Sequence, residues 1–207
     1  MAIETYGQLK SAVADWLMRD DLTAVIPTFI NLAHKSLNRQ VRVRQMMKRA
    51  VAEVDSQFSV LPADFLEMRN IQLNNNVPSP LQHITAEQMD EYRYANSNVA
   101  GRPGYYAVVG ESIELYPTPN AAYNMEMAYY SKIPALSDDS STNWLLSKAP
   151  DAYLYGALVQ AAPYLKEDER IQVWSMLHEK ALTELRDEEE RARFMGTTPK
   201  FKGRTFG

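Results

Sequence analysis

The spacing of apolar residues follows a helical period near both ends of the chain and an extended period in the middle. The first helical stripe consists of Leu9, Val13, Trp16 and Leu17. Thr5 and Gln8 precede this stripe at the capping-box spacing, in which each side chain hydrogen-bonds a free backbone N–H of the first turn. A first helix is therefore predicted over residues 5–18.

A second helical stripe follows Asp20 and Asp21, which we expect to open the helix. Its members are Leu22, Ile26, Phe29, Ile30, Ala33, Leu37 and Val41. Pro27 has no backbone N–H, so the regular part of the helix is predicted to begin near it. Residues 1–48 are therefore predicted to form an N-terminal helical hairpin.

The middle segment, residues 49–136, shows strand patterns separated by turn residues. One strand is marked by large side chains that alternate with polar or small ones: Tyr123, Met125, Met127 and Tyr129. Such alternation indicates a strand with one buried face. Gly110 and Glu111 lie between two further extended runs, as in a two-residue hairpin. A strand is predicted over residues 67–73, and a short helix over 85–94 has Thr85 as its cap with Gln88 three residues on. Together these elements complete a predicted small antiparallel β domain.

Helical spacing returns at Pro150, which suits the first turn of a helix. Two stripes flank a polar joint at residues 166–169: Tyr153, Leu154, Ala157, Leu158, Ala161 and Leu165 before it, and Trp174, Leu177, Ala181 and Leu185 after it. Residues 137–195 are predicted to form a second helical hairpin. We expect the two hairpins to pack as a four-helix bundle with the β domain as an insertion, which gives an α+β fold.

The last segment, residues 196–207, differs from the helix predicted before it. Gly196, Pro199 and Gly203 oppose further helix, and an extended C-terminal arm is predicted. Its candidate partner-binding residues are Lys200, Phe201, Lys202, Arg204 and Phe206. One interpretation is a frayed terminus. The other, which we favour, is an arm that becomes ordered on a neighbouring subunit or another protein, with its two phenylalanines in pockets.

Composition limits the classes of protein to which the chain can belong. The 207 residues include no cysteine, so neither a disulfide framework nor a thiolate metal site is expected. The sequence has no continuous apolar run of about 18 residues, so no membrane partner is expected. The net charge of −4 is too small to indicate a dedicated nucleic-acid binder.

Positive charge is nevertheless concentrated in residues 39–49, which contain neither Asp nor Glu. The cations of this basic run are Arg39, Arg42, Arg44, Lys48 and Arg49. One interpretation is a patch that contacts phosphates of DNA in a channel, or an acidic partner. The other is a solvated helix end, where cations interact favourably with the C-terminal dipole.

The sequence contains no recognisable catalytic motif. It lacks a phosphate-binding glycine loop, a nucleophile elbow and a His-Glu-x-x-His pattern. His34, His83 and His178 are far apart, and we interpret them as solvent or bundle-edge histidines rather than a catalytic pair. Candidate oxygen ligands are scattered instead of grouped in one loop: Asp64, Glu67, Asp90 and Glu91. We therefore expect no enzymatic activity, no cofactor and no metal site.

Tyrosines are concentrated in and beside a stretch that is rich in Gly, Pro and Asn. These tyrosines are Tyr92, Tyr94, Tyr105 and Tyr106. Aromatic side chains at such a place can anchor a protein interface. They can equally pack against the edge of a small sheet, and the sequence favours neither interpretation over the other.

Four short stretches, in this order after the N-terminal hairpin, resemble the head-to-tail adaptor (connector) proteins of tailed bacteriophages, particularly those of short-tailed phages. The stretches are LPADF at residues 61–65, LYPTP at 115–119, YYSKIPALS at 129–137 and PDAYLYGAL at 150–158. Each stretch alone is short, and the resemblance lies in the ordered set. It covers roughly residues 4–190.

The resemblance implies a helical bundle with a β insertion and a dodecameric ring below the portal, which joins capsid to tail around the DNA exit channel. It implies as partners the portal protein, tail or nozzle proteins, further copies of the chain, and DNA in transient, non-specific passage. The expected location is the virion, with the host cytoplasm during assembly. The family has no catalytic residues to assign to positions of this sequence.

Three other functions stay open at this stage. Another phage neck or tail-tube ring protein would share most of these features. A bacterial regulator that binds DNA through residues 39–49 belongs to a different class and predicts sequence-specific duplex binding. A hydrolase would need a cluster of catalytic residues that the sequence does not display.

Overall fold

The chain divides into two compact units in a computed structural model that describes residues 2–74, 77–96, 99–166 and 168–194. The helical unit comprises residues 1–44 and 133–207, and the β unit comprises residues 45–132. The boundaries predicted after residues 48 and 136 lie four positions further along (48 against 44, and 136 against 132). The predicted arm, residues 196–207, lies outside the described residues.

The described residues contain six α-helices: α1 (Tyr6–Leu17), α2 (Ile26–Gln40), α3 (Ala86–Ala95), α4 (Trp144–Lys148), α5 (Pro150–Leu165) and α6 (Asp168–Phe194). They also contain eight strands: β1 (Met47–Val54), β2 (Phe58–Val60), β3 (Phe65–Leu73), β4 (Ser79–Pro80), β5 (Gln82–His83), β6 (Tyr105–Val109), β7 (Ser112–Tyr116) and β8 (Tyr123–Ser131). The α+β class is confirmed. Packing as a four-helix bundle stays a prediction.

The start of α1 follows from its capping residues. The Thr5 side chain accepts a hydrogen bond from the Gln8 backbone N–H, and the Gln8 side chain accepts from the Thr5 N–H. Together these bonds satisfy two donors that the first turn leaves unpaired. Met18 ends the helix in the left-handed conformation with φ of 53°. The predicted first helix is therefore confirmed.

The second helix begins later than Asp20 and Asp21 suggested, so that part of the prediction was wrong. Asp21 forms two 2.6 Å hydrogen bonds with the Arg19 guanidinium, and its carboxylate is therefore not a cap. The chain turns through the next residues, and α2 starts at Ile26 with Pro27 in its first turn. The predicted start near Pro27 is confirmed, because a residue without an N–H is tolerated there.

Helix α5 is the centre of the helical unit, since α1, α2, α4 and α6 all pack against it. Small side chains make this close packing possible, and Ala152, Ala157 and Ala161 are fully buried. At Gly156, a Cβ atom would lie 3.0 Å from Cε1 of His178 on α6 and 3.3 Å from Cβ of Ala33 on α2. Only glycine lets α2 and the His178 ring approach α5 this closely.

The β unit consists of two four-stranded sheets, with strand orders β1-β8-β3-β4 and β2-β7-β6-β5. Most strand pairs are antiparallel, as predicted for a small antiparallel β domain, and the exception is β5, which pairs with β6 in parallel. The predicted hairpin is confirmed: Val109 pairs with Ser112 across Gly110 and Glu111, and Gly110 has φ of +61°. A positive φ in the first position of such a turn favours glycine over other residues.

Side chains from both sheets form one core in the β unit: Val54, Leu61, Ile71, Leu73, Leu81, Tyr106, Ile113, Leu115, Met125, Met127 and Tyr129. The buried face predicted for β8 is thus confirmed. A second, smaller cluster lies beneath α3 and includes Met89, Ala107 and Tyr116. The predicted capping box of α3, formed by Thr85 and Gln88, is also present.

Truncation of a core side chain on β8 should destabilise the β unit. Met125 is fully buried, and Met125→Ala should lower the free energy of unfolding by about 2–5 kcal/mol, because it removes apolar contacts and leaves a cavity. On the neighbouring strand, Val51 is 68% exposed, and Val51→Ala should change this free energy by no more than about 0.5 kcal/mol. Urea unfolding followed by circular dichroism measures both. Equal losses would show that the core is misassigned.

Candidate functional site

The basic run does not form one helix end. Arg39 lies in the last turn of α2, whereas Lys48 and Arg49 lie on β1. The run also crosses the boundary between the helical unit and the β unit, which falls between residues 44 and 45. The interpretation as a single solvated helix end therefore does not describe these five cations.

Most cations of the basic run form ion pairs with acidic side chains or hydrogen bonds with backbone carbonyls. In the β unit, Lys48 Nζ lies 2.6 Å from Asp64 Oδ2, and Arg49 pairs with Glu126. The hydrogen bond from Lys48 is the main cause that lowers the pKa of Asp64, and burial with a bond to Asp64 raises the pKa of Tyr129 to about 12. Asp64 therefore holds β1 to the strand that contains Tyr129.

The arginines of the helical unit stabilise the end of α2 and the segment after it. The Arg42 guanidinium donates to the carbonyls of Asn38 at 2.8 Å and Val41 at 2.7 Å. The Arg44 backbone N–H donates to Glu189 of α6 at 2.9 Å. Arg39 remains exposed at the helix end. A DNA or acidic-partner contact by these residues stays a prediction.

The tyrosines serve mainly to pack α3 onto its sheet. Tyr92, Tyr105 and Tyr116 form a cluster with ring centroids 5.3–6.4 Å apart, and the Tyr116 hydroxyl donates to the Tyr92 carbonyl. Tyr106 is buried in the core that both sheets share. Tyr94 differs from the others, because it is 93% exposed. The packing interpretation therefore applies to Tyr92, Tyr105 and Tyr106. Tyr94 is the tyrosine that stays available for an interface.

A largely buried ion pair between α3 and β7 was not indicated by the sequence. The Arg93 guanidinium lies 3.0 Å from Glu114 on β7 and also donates to the Leu115 carbonyl. Gln57 donates to the same Glu114 carboxylate at 3.0 Å. Residues far apart in sequence form this arrangement, so neither spacing nor composition indicates it.

A buried hydrogen-bond network surrounds Tyr153 of α5. Its hydroxyl lies 2.8 Å from Nδ1 of His34 on α2 and accepts from Asn143 Nδ2 at 2.9 Å. Asn143 also caps α4 and donates to the Pro134 carbonyl. Asn38 of α2 accepts from the Ile133 N–H at 2.8 Å. The network thus joins α2, α4 and α5 to the segment that follows β8, and burial raises the pKa of Tyr153.

The second helical histidine, His178, lies in a groove between α2, α5 and α6. A cavity of about 170 Å³ opens there, and polar side chains make up most of its lining: Ser36, Gln40, Gln160, Ser175, His178 and Glu179. His178 is only 9% exposed, and its Nδ1 has no hydrogen-bond partner. His34 and His178 both pack against α5, at Tyr153 and Gly156 respectively, and no hydrogen bond or ring contact joins the two.

Within the part of the chain that the structure describes, no three acidic, histidine or cysteine side chains are grouped to hold a metal ion. None of the described helices combines the length and the apolar character needed to cross a membrane. The candidate arm residues, Lys200, Phe201, Lys202, Arg204 and Phe206, lie outside the described residues.

The fold is therefore that of a two-unit α+β protein, in which the β unit is inserted between two segments of a helical unit. The SU10 adaptor protein family matches residues 4–200, which is nearly the whole chain. The chain belongs to this family, and the expected phage adaptor is confirmed at that level. Family membership implies a location in the virion and interaction with other phage structural proteins. No curated protein matches the chain.

His34, which is partly buried, and His178, which is buried, make the stability of the helical unit depend on pH. Burial is the main cause that lowers the pKa of both His34 and His178 below the ordinary value of 6.5. Below pH 6.5 the unfolded chain therefore binds protons that the folded chain excludes. The contribution of the two neutral histidines to the free energy of unfolding is therefore fully present above pH 6.5, and it is lost as the pH falls through their pKa values in the folded state.

We expect the urea midpoint to be lower at pH 5.5 than at pH 7.5 and to change little between pH 7.5 and 8.5, where both histidines are neutral in either state. His34→Asn and His178→Asn should each reduce the difference between pH 7.5 and 5.5, whatever their effect on the midpoint itself. Circular dichroism at 222 nm measures these midpoints. A midpoint that does not change between pH 7.5 and 5.5 would contradict the prediction.

Proposed function

We propose that the chain is the head-to-tail adaptor of a short-tailed phage, assembled as a ring below the portal and joining capsid to tail around the DNA exit channel. The family match over residues 4–200 is the observation that supports this proposal most strongly. The four ordered stretches at residues 61–65, 115–119, 129–137 and 150–158 support the short-tailed type. The role is structural, without catalysis, cofactor or metal.

The proposed ring is dodecameric, with the portal on one side and tail or nozzle proteins on the other. One contact that is repeated head to tail by a rotation closes such a ring. Exposed large apolar side chains are available for such contacts: Tyr94 and Val60 of the β unit are 93% and 80% exposed, and Met18 of the helical unit is 85% exposed. The terminal hairpins are proposed to complete a four-helix bundle within each subunit.

Any contact with DNA is proposed to be weak and independent of sequence, because a conduit must let DNA slide. The ion pairs of Lys48 and Arg49 agree with this, since phosphates would have to compete with Asp64 and Glu126 for these cations. The same pairs argue against the alternative of a bacterial regulator that uses residues 39–49. A neck or tail-tube ring protein is the remaining alternative, and it would occupy a different position in the particle from an adaptor below the portal.

Imaging of purified virions tests the function directly. We expect a closed ring of this chain at the head-to-tail junction, in contact with the portal, because a rotationally repeated contact must close around the channel. Co-expression with the portal protein should give the same ring, with particles that lack a tail as the control for contacts made by tail proteins. A ring within the tail tube would favour the neck or tail-tube alternative. A single copy bound asymmetrically would contradict the ring.

Removal of the proposed arm should weaken docking. A chain that ends after Met195 lacks Phe201 and Phe206, whose burial could contribute roughly 3–6 kcal/mol before ordering costs. We expect lower affinity for the portal and fewer closed rings, measured by sedimentation and electron microscopy. A full-length double variant, Phe201→Ala with Phe206→Ala, separates the contribution of the two phenyl side chains to affinity from that of the basic residues. Unchanged affinity of the truncated chain would support a frayed terminus instead.

A further inference from the structure

The outer edge of β1 is a long strand edge with no described neighbour. β1 lies at the end of its sheet, and its eight residues pair with β8 on one side only. Residues of an antiparallel strand bond alternately to its two sides, and the Asn124 carbonyl of β8 accepts from the Asn74 N–H on the β3 side. Odd-numbered residues of β8 therefore face β1, and their partners on β1 have even numbers. The backbone N–H and C=O groups of Arg49, Val51 and Glu53 point away from β8.

The usual devices that protect a strand edge are missing along β1. Natural proteins shield long edges with proline, a bulge, lysine side chains or a covering segment. Residues 47–54 contain no proline, and their pairing with β8 runs without a register shift. The side chains of Lys48 and Arg49 form ion pairs with carboxylates elsewhere in the β unit. Val51, in the middle of the edge, is 68% exposed, so the edge is open to another strand.

The side chains along this edge are complementary to themselves. When two copies of β1 lie antiparallel about a twofold axis at Val51, each Arg49 is opposite Glu53 of the other copy, and the two Val51 side chains meet at the axis. All three residues then occupy hydrogen-bonded positions, so the two edges satisfy each other's free N–H and C=O groups.

Both charged groups are available for this contact. The Arg49 side chain is 74% exposed, and its guanidinium has enough N–H donors to keep Glu126 and bind a second carboxylate. Glu53 is exposed, and the ion pairs among the described residues do not include it. Opposite charges at directly paired positions of antiparallel strands stabilise the pairing.

Other twofold registers match less well. An axis at Arg49 places two guanidinium groups opposite each other, and an axis at Glu53 does the same with two carboxylates, which is destabilising. An axis at Ala50 or Ala52 places Val51 opposite a charged side chain. The register at Val51 is the one that pairs opposite charges and also brings the apolar side chains together.

We propose that the free chain dimerises through β1, with a second copy of β1 as the occupant of this edge and the twofold axis at Val51. The inference goes beyond the proposed function, because a twofold contact is complete after two copies and does not build a ring. An edge of eight residues is short against the roughly 20–30 residues that each partner contributes to a standard interface. The dimer is therefore weak and exchanges with the monomer, which leaves the chain able to enter a ring.

Charge variants and their mixture test this pairing. Arg49→Glu alone and Glu53→Arg alone should each weaken self-association at least about tenfold, since each places two like-charged pairs across the axis. An equimolar mixture of the two variants should restore the dimer, because each carboxylate then faces a guanidinium. Sedimentation velocity of the full-length protein, over a concentration series into the submillimolar range, measures the association. Glu111→Arg reverses an exposed charge in the β6–β7 turn and should leave it at the wild-type value.

A single cysteine at the axis tests the same contact without a change of charge. The chain has no cysteine, and Val51→Cys should give a disulfide-linked dimer under mild oxidation. Opposite residues of a hydrogen-bonded antiparallel pair have Cα atoms about 5.5 Å apart, which is within disulfide range. Val60→Cys changes another exposed valine, on the edge strand β2 of the other sheet, and should stay monomeric. Equal crosslinking of the two variants would mean random collision and would overturn the dimer.

The remaining outcomes decide the dimer separately from the adaptor function. Wild-type chain that stays monomeric throughout the concentration series overturns it. A mixture that stays monomeric, while circular dichroism shows both charge variants folded, overturns it as well. If a charge variant fails to fold, crosslinking of Val51→Cys against Val60→Cys decides alone. A ring at the head-to-tail junction supports the adaptor function whichever result these measurements give.

Discussion

The helical unit depends on the buried hydroxyl of Tyr153. This one atom is within hydrogen-bond distance of His34 on α2 and of Asn143 at the start of α4, and its own helix, α5, contacts every other helix of the unit. In an interior of low polarity such bonds are strong when complete and costly when one partner is missing. The position of Tyr153 therefore fixes how α2 and the start of α4 are placed on α5.

Features that depend on neighbouring residues were predictable from the sequence. The capping boxes at Thr5 and Thr85, the hairpin turn at Gly110 and the buried face of β8 all arise within a few residues, so their signal is local. The start of α2 was misjudged because the side chain of Asp21 binds Arg19 instead of a helix N–H. The sequence offers the carboxylate but does not show which donor it selects.

Features that depend on distant residues were not predictable in the same way. The Tyr153 network joins positions 119 residues apart, and the division of the strands into two sheets depends on pairings such as Met47 with Tyr130. The groove at His178 combines three helices, and only Gly156 within an apolar helix offers a retrospective signal, as a site of close approach. The ion pairs of Lys48 with Asp64 and of Arg49 with Glu126 likewise join residues that are distant in sequence, so the basic run alone does not indicate them.

The insertion of the β unit has a consequence for synthesis on the ribosome. Residues 45–132 are contiguous, so this unit can fold as soon as it has emerged. Helices α1 and α2 emerge first, yet they pack on α5, which ends at Leu165. Helices α1 and α2 must therefore wait for α5 before they can pack, and a polypeptide released before α5 would display their apolar faces without this support. The helical unit can thus form only after the whole of the β unit has been synthesised.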